Sequence, residues 1–290
     1  MIKTLRSQVL RPVWGGLNPR DDLDWAGLWT FPPDMPRNHV GIGAAGGTYA
    51  SNTPGRDWFP FARMGAQANA HVILGPVSDT HRYFHGEKGF VLFTLFQTDS
   101  NTDSSNFVPL LDCLQSSGGA GGYDFLFQNS GGKAWRLIVQ MTGTDYDFTL
   151  TAVSSFDPYL TNDEWFIAVA RFDPRGSASL HVRRWTDSTV YSTNSTAGTG
   201  VFVRPNGGHP FRLTQNDFSD LPATQYGMEM RIALTGVILG AHPEGFAEAI
   251  ARNPFQALFS TRSPVASIAI AAGGGGIIPQ VMHHRRMMSQ

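Results

Sequence analysis

Apolar and polar positions alternate most legibly between Asn162 and Trp185, where the chain reads NDEWFIAVARFDPRGSASLHVRRW. Trp165, Ile167 and Val169 fall on one face of an extended segment, and Phe166, Ala168, Ala170 and Phe172 on the other. Apolar residues on both faces mark a strand that is covered on both sides. Asp173-Pro174-Arg175-Gly176 then supplies a turn, because proline pre-sets its own φ and glycine accepts a positive one. The return strand places Ala178, Leu180 and Val182 inward and Ser179, His181 and Arg183 outward. The stretch predicts a β-hairpin.

The same reading predicts strands over residues 71–74, 90–96, 124–128, 134–141, 148–153, 189–193, 201–204, 211–213 and 228–239. Residues 90–96 (FVLFTLF) are again apolar on both faces, and the last strand is expected to bend or bulge at Gly236. Ahead of these, Trp25-Ala-Gly-Leu-Trp29-Thr-Phe31 predicts a short aromatic strand ended by Pro32-Pro33. Residues 34–68 are too long for a structureless loop in a compact domain and are expected to hide short strands or to pack on a partner. Residues 242–252 predict the chain's best helix, with Pro243 in the first turn, carboxylates near the positive end and Asn253-Pro254 as the stop. Many short strands and one late helix predict an all-β antiparallel sandwich. Three parts are expected: an N-terminal arm over 1–24, the sandwich over 25–259, and a flexible or partner-bound tail over 260–290.

Composition narrows the function classes. Only 16% of the 290 residues are charged and the net charge is −1, so no basic surplus points to nucleic acid. Gly and Pro, at 32 and 18, are scattered as many turns require, and 20 Phe with 7 Trp supply aromatic core. Five glutamates, at 87, 164, 229, 244 and 248, leave helix formers scarce. The single cysteine, Cys113, excludes an intrachain disulfide and a cysteine-based zinc cage, and is expected to be a buried small hydrophobe. No signal-peptide core and no membrane-length apolar run are seen, so the chain is expected to be made in the cytoplasm without Sec-type export.

Each chemical motif in the chain needs a particular structural context. Gly41-Ile-Gly43-Ala-Ala-Gly46 matches G-x-G-x-x-G, yet lacks the buried strand before it and the helix after it that a dinucleotide needs. His81 and His85 lack a third metal ligand. The Asp99/Asp103 loop is rich in oxygen ligands that would suit calcium, but polar turns are built of the same residues. Asn216-Asp217-Phe-Ser-Asp220 is a weaker case of the same kind. His283-His284 belongs to the basic tail, and the Asn194-Ser-Thr196 sequon carries little without a secretory signal. No nucleophile elbow is present, and no strand carries the carboxylate pair that glycoside hydrolysis requires. Carboxylates meeting from separate strands are the one enzymatic route left open. Trp58, Trp135 and Trp185 are candidate sugar-stacking platforms, with core or interface packing as the alternative. Accordingly no catalytic, cofactor-binding or metal-binding residue is assigned.

The order of motifs resembles the concanavalin A-like, laminin G-like jelly rolls found as stand-alone proteins of tailed bacteriophages. Gly27-Leu28-Trp29 is similar to that family's opening strand, and residues 90–96 to its FT(V/L) strand. Glu164-Trp165-Phe-Ile-Ala-Val169, Phe172-Asp173 and Leu180-His-Val182 are similar to its central hairpin. Residues 230–238, the helix, and Asn253-Pro254-Phe255-Gln-Ala-Leu258-Phe259 resemble its closing strand, helix and N-P-(W/F)-Q-L-F ending. Two features depart: Pro36-Arg37-Asn38-His39-Val40-Gly41 only partly matches the G-N-H-G turn, and the laminarinase-type acidic strand and the lectin metal ligands are absent. The resemblance implies a non-enzymatic structural or adhesive virion component, of tail-fibre or tail-appendage type, that is homo-oligomeric and bound to other virion proteins through its arms. A head-associated decoration protein, a carbohydrate-binding module and a polysaccharide depolymerase acting on host surface glycan are the alternatives.

Overall fold

The structure is a computed structural model that describes residues 20, 22–31, 37–40, 48–50, 52–56, 60–64, 71–75, 88–98, 107–113, 121–128, 134–141, 144–151, 164–196, 211–213, 230–254 and 257. Its strands are β1 (Asp24–Thr30), β2 (Arg37–Asn38), β3 (Thr48–Ala50), β4 (Asn52–Arg56), β5 (Pro60–Met64), β6 (His71–Gly75), β7 (Phe90–Thr98) and β8 (Phe107–Asp112). They continue with β9 (Tyr123–Gln128), β10 (Ala134–Met141), β11 (Thr144–Thr151), β12 (Trp165–Asp173), β13 (Ser177–Arg184), β14 (Tyr191–Thr196), β15 (Phe211–Leu213) and β16 (Met230–Leu239). One helix, α1 (Glu244–Arg252), follows. It is too short to cross a membrane, as is true of every helix among the described residues.

The strands form two antiparallel sheets. The first has nine strands and runs β14-β13-β12-β7-β16-β1-β2, with β5 also pairing β16 and β4 pairing β5. The second has seven and runs β11-β10-β9-β8-β15-β6-β3. The expected all-β sandwich is what the chain adopts.

Period-two alternation decides what lies between the sheets. From the first come Trp29, Phe90, Leu92, Phe96, Phe166, Ala168, Ala170, Phe172, Leu180 and Val182; from the second come Tyr123, Phe125, Phe127, Trp135, Leu137 and Val139. Phe96 stacks on Phe166 at 5.7 Å between centroids and meets Trp135 edge-on at 5.5 Å. The Trp29 indole crosses the layer to donate to the Leu74 carbonyl, 3.2 Å away. Each such side chain contributes about 1.5–3 kcal/mol by leaving water.

A second core lies on the opposite face of the first sheet. There Trp25, Leu28, Val91, Phe93, Leu95, Trp165, Ile167, Val169 and Ile238 are buried with Ala247, Ile250 and Ala251 of α1. The spacing of those three residues makes one apolar stripe along the helix. Two-sided burial of β7 and β12 thus has a concrete cause: sheet on one side, helix on the other.

The central hairpin pairs Phe166 with Arg184 through Asp173 with Ser177, and Gly176 at the turn takes φ 100° as required. Differences from expectation are local. The closing strand is bulged between Ile232 and Leu234, not at Gly236. Gly236 sits in a regular ladder because a Cβ there would lie 2.3 Å from the Phe93 ring. Strand β8, central in the second sheet, was not expected; Pro109 interrupts its pattern and a bulge between Pro109 and Leu111 absorbs it. Residues 34–68 do contain short strands, β2 to β5. The strand expected over 148–153 begins four residues earlier, at Thr144, and the one expected over 189–193 runs from Tyr191 to Thr196. The strand expected over 201–204 lies outside the described residues.

Candidate binding surface

The outer face of β13 is where the sequence put polar side chains, and on it the structure gathers several buried polar groups together with two from β12. Along β12 the outward positions change from Trp165, Ile167 and Val169 to Arg171 and Asp173; along β13 they are Ser177, Ser179, His181 and Arg183. Arg171, Asp173, Ser179, His181 and Arg183 are all buried. The direction of Ser179, His181 and Arg183 is as expected, but α1 lies over this face, so it is the floor beneath a helix and not a solvated face.

Two arginines hold that helix at its ends. Arg171 donates through Nε to the carbonyl of His242, through Nη1 to Ser177 Oγ at 3.2 Å, and through Nη2 to Asp173 Oδ2 at 3.2 Å. Its charge near a helix N-terminus is unfavourable by itself. Asp173 offsets it, and Glu244 adds negative charge in the first turn. Arg183 donates through Nε to the Ala251 carbonyl at 2.7 Å and through Nη1 to the Asp187 carbonyl at 2.8 Å. A cation at the C-terminus of a helix, bonded to one of the last carbonyls, satisfies both the dipole and an otherwise open acceptor. The signal for Arg171 was present in the sequence: an arginine inside a strand apolar on both faces needs buried acceptors.

Between the two arginines lies His181, wholly buried, with Nδ1 2.7 Å from Ser192 Oγ and Nε2 3.0 Å from Ser179 Oγ. Burial lowers its affinity for a proton; Glu244 and Glu248 pull the other way, and Arg171 reinforces burial. The ring is held neutral. An imidazole beside a serine hydroxyl is half of a nucleophile–base pair, but the far nitrogen meets an alcohol and not the carboxylate that orients such a base. The arrangement pins β14 to β13.

At the turn, Asp173 receives Arg175 through Nη2 at 2.7 Å and through the backbone N–H at 3.0 Å. Its carboxyl is held below the usual range, first by the Arg175 hydrogen bond, against burial, and then by the charges of Arg175 and Arg171.

The sugar-platform candidates fare differently. Trp135 is 1% exposed and packs on Phe96, Phe125 and Phe127, so it is core and no platform. Trp185 is half-buried, and the Arg183 guanidinium lies 5.4 Å from its ring centre. Cys113 is buried as expected, its thiol bonded to the Tyr123 carbonyl at 3.3 Å. Asn194 of the sequon is exposed on β14. Trp58, the Gly41–Gly46 loop, His81, His85, Asp99, Asp103, Asn216–Asp220 and His283-His284 lie outside the described residues. No group of three or more metal-ligating side chains occurs among the described residues.

No protein-family model and no curated protein sequence matches the chain. Solved structures do. The botulinum neurotoxin serotype C1 binding domain aligns at TM-score 0.57 and 8% identity, over 80% of this chain and 52% of that one. The binding domain of botulinum neurotoxin DC, solved in complex with rat synaptotagmin II, aligns at 0.58 and 9%, over 82% and 52%. A botulinum neurotoxin type C structure, described as dependent on two ganglioside molecules for cell invasion, aligns at 0.55 and 9%, over 81% and 51%. At such identities the likeness is one of fold. The chain spans about half the length of these neighbours.

Proposed function

We propose that this chain is a non-enzymatic attachment module: a structural and adhesive component of a tailed-phage virion, of the tail-fibre or tail-appendage kind, made in the host cytoplasm and built into the particle. The observation that carries the reading is the fold. Some four-fifths of the chain superposes on neurotoxin structures, among them domains described as binding domains, one of them solved with rat synaptotagmin II, and a toxin whose passage into cells is described as dependent on two ganglioside molecules. The order of phage-type jelly-roll motifs supplies the setting. The polar groups beneath α1 fit the same reading, since they bond to one another and to backbone carbonyls and so hold the scaffold. The arms over 1–24 and 260–290 are assigned to other virion proteins, because a segment that orders on binding wraps a large surface. Labelling purified particles with an antibody to this chain, viewed by negative stain, is the test. Label on tail structures is expected; label on the capsid would move the protein to a head-associated decoration role, and unlabelled particles would sink the virion reading.

A second reading, recognition of host surface glycan, is compatible with the first and is favoured by the ganglioside-dependent neighbour. Of the aromatic platforms, Trp185 is half-buried with one described cation against it, and Trp58 stands as the remaining candidate. A glycan array at high protein concentration is expected to return acidic or neutral oligosaccharide binders that are lost with Trp58→Ala. Release of reducing ends from host capsule would instead support a depolymerase.

A further inference from the structure

The net charge of −1 conceals a division of sign along the chain. All 23 acidic side chains lie between Asp21 and Glu248. Residues 1–19 and 258–290, on either side of the described sandwich, carry Lys3, Arg6, Arg11, Arg262, Arg285 and Arg286 and no acidic side chain, a charge of +6. Residues 20–257 hold 16 Lys and Arg against the 23 acids, a charge of −7. The structure joins the two basic segments at their roots. The Arg20 N–H donates to the Ala257 carbonyl at 3.2 Å, and the Trp25 indole donates to the Arg20 carbonyl at 2.9 Å. Trp25 and Ala257 are buried in the core that α1 shares, so both segments start from that side of the first sheet.

Sign is divided between the sheets as well. The strands of the first carry seven arginines and two aspartates. Those of the second carry Arg136 and Arg212 against Asp112, Asp124, Asp145 and Asp147. Register sets Asp112 opposite Asp124, and Asp124 and Asp147 on either side of Ile138, so three of the four form one row. Leu137 and Val139 face the inter-sheet core, which puts Ile138 and the row on the outer face of the second sheet. The basic segments start from the opposite side of the sandwich.

We propose that the two basic segments act as one strap that binds the acidic second-sheet face of another copy of this chain, stacking copies head to tail. The proposal rests on the reading of both segments as arms and names a further copy as their partner. The division of sign selects that partner. Unlike charges meet when the α1 side of one copy faces the second sheet of the next, whereas either symmetric pairing sets like against like. A nucleic acid or an anionic lipid would engage the strap and leave the aspartate row without a counter-charge. At about 3.3–3.6 Å per residue the shorter segment spans up to about 60 Å, enough to cross a neighbouring sandwich.

Sedimentation velocity on the full chain, purified alone from micromolar to several hundred micromolar, tests this. It is run at about 0.1 M and about 1 M salt, across which the screening length falls from about 10 to about 3 Å. The wild type is expected to rise past dimer mass at the lower salt, because a head-to-tail contact does not stop at two, and to return to monomer at the higher. Neutralising the strap with Arg6→Gln, Arg11→Gln, Arg285→Gln and Arg286→Gln should weaken assembly about tenfold or more, and Asp145→Asn with Asp147→Asn should do likewise. A chain with the same four arginines changed to Glu, mixed with one carrying Asp145→Lys and Asp147→Lys, should assemble where neither does alone. Thermal unfolding followed in parallel should not move for the strap variants, whose changes lie outside the sandwich. A wild type monomeric at the lower salt overturns the proposal, its strap folded on its own sandwich included. So does assembly that stops at a dimer, or strap or β11 variants that assemble as the wild type does. Unlabelled particles with an assembling chain sink the virion reading alone, and labelled particles with a monomeric chain sink this proposal alone.

Discussion

Arg183→Ala removes the group on which the C-terminal end of α1 rests. Two short hydrogen bonds go with it, to the carbonyls of Ala251 at 2.7 Å and Asp187 at 2.8 Å. Longer contacts to Trp185 and Arg184, at 3.3 and 3.4 Å, go as well. Bonds from a charged donor are worth about 1.5–3 kcal/mol each, but taking a guanidinium out of water costs several kcal/mol, so their plain sum overstates the loss. Truncation strands neutral carbonyls and no charge. The packing of the arginine stem and the contact with Trp185 add about 0.5–1 kcal/mol. The net expectation is a loss of about 3 kcal/mol. Arg183→Lys keeps a cation near the helix terminus, yet one ammonium cannot span the two carbonyls as the planar fork does, so it should lose about half as much. Urea unfolding followed by circular dichroism gives both numbers, and native-state hydrogen exchange locates them. Amides of α1 should lose protection before those of β7 if the arginine acts as a clamp on the helix. Arg183→Ala within about 0.5 kcal/mol of wild type, the range of an ordinary surface change, would refute the reasoning.

Three further outcomes follow from the same face and its core. Since burial keeps His181 neutral in the folded chain while the unfolded chain takes up a proton near the ordinary value of 6.5, the unfolded state binds more protons below that pH and stability falls as pH drops. His181→Gln should remove that part of the slope in urea midpoints between about pH 7 and pH 5, and parallel slopes would count against a neutral buried ring. Asp173→Ala leaves the buried Arg171 without its carboxylate and should cost about 3 kcal/mol at neutral pH in urea unfolding. Because the Asp173 pKa is depressed, its contribution is present above the ordinary 3.8 and is lost as pH falls through the lower folded value, so the variant should show a flatter acid limb. Gly236→Ala drives a methyl into the Phe93 ring and should cost about 1–3 kcal/mol by thermal unfolding; adding Phe93→Leu should recover part of it, and strict additivity would show the two do not touch.

Much of the fold was legible because its signals are local. The hairpin over β12 and β13 follows from alternation and one turn, and the register Phe172–Ala178 is what that turn imposes. The helix follows from Pro243 at one end and Asn253-Pro254 at the other. What escaped depends on partners distant in sequence. Strand β8 is short and contains a proline, and it is a strand because β9 and β15 flank it. The bulge at Ala233 is set by where β7 runs, and Gly236 is required by a ring from the neighbouring strand. Trp135 read as core or interface packing ahead of sugar platform, and the approach of Phe96 from the facing sheet decides for the core. The outward polar residues of β13 were correctly faced, but nothing in a strand's own pattern says that a helix seventy residues later will cover it.

That covering has a consequence for where recognition resides. Both faces of the first sheet are occupied over β7 and β12, one by the facing sheet and one by α1. On the second sheet, Asp124 and Leu126 point away from the inter-sheet core and are nonetheless buried, while Arg136 and Ile138 on the next strand are half-exposed. Among the described residues, the surface open to a ligand is therefore the outer side of α1, the β10 side of the second sheet and the strand edges, and not the side chains beneath the helix. Substitutions beneath α1 should lower binding only in proportion to the folded fraction, because Arg171, His181 and Arg183 spend their bonds on the scaffold. Measuring binding per folded molecule tests this, and a variant of Arg171 or Arg183 that stays fully folded yet loses ligand would place recognition on the helix face after all.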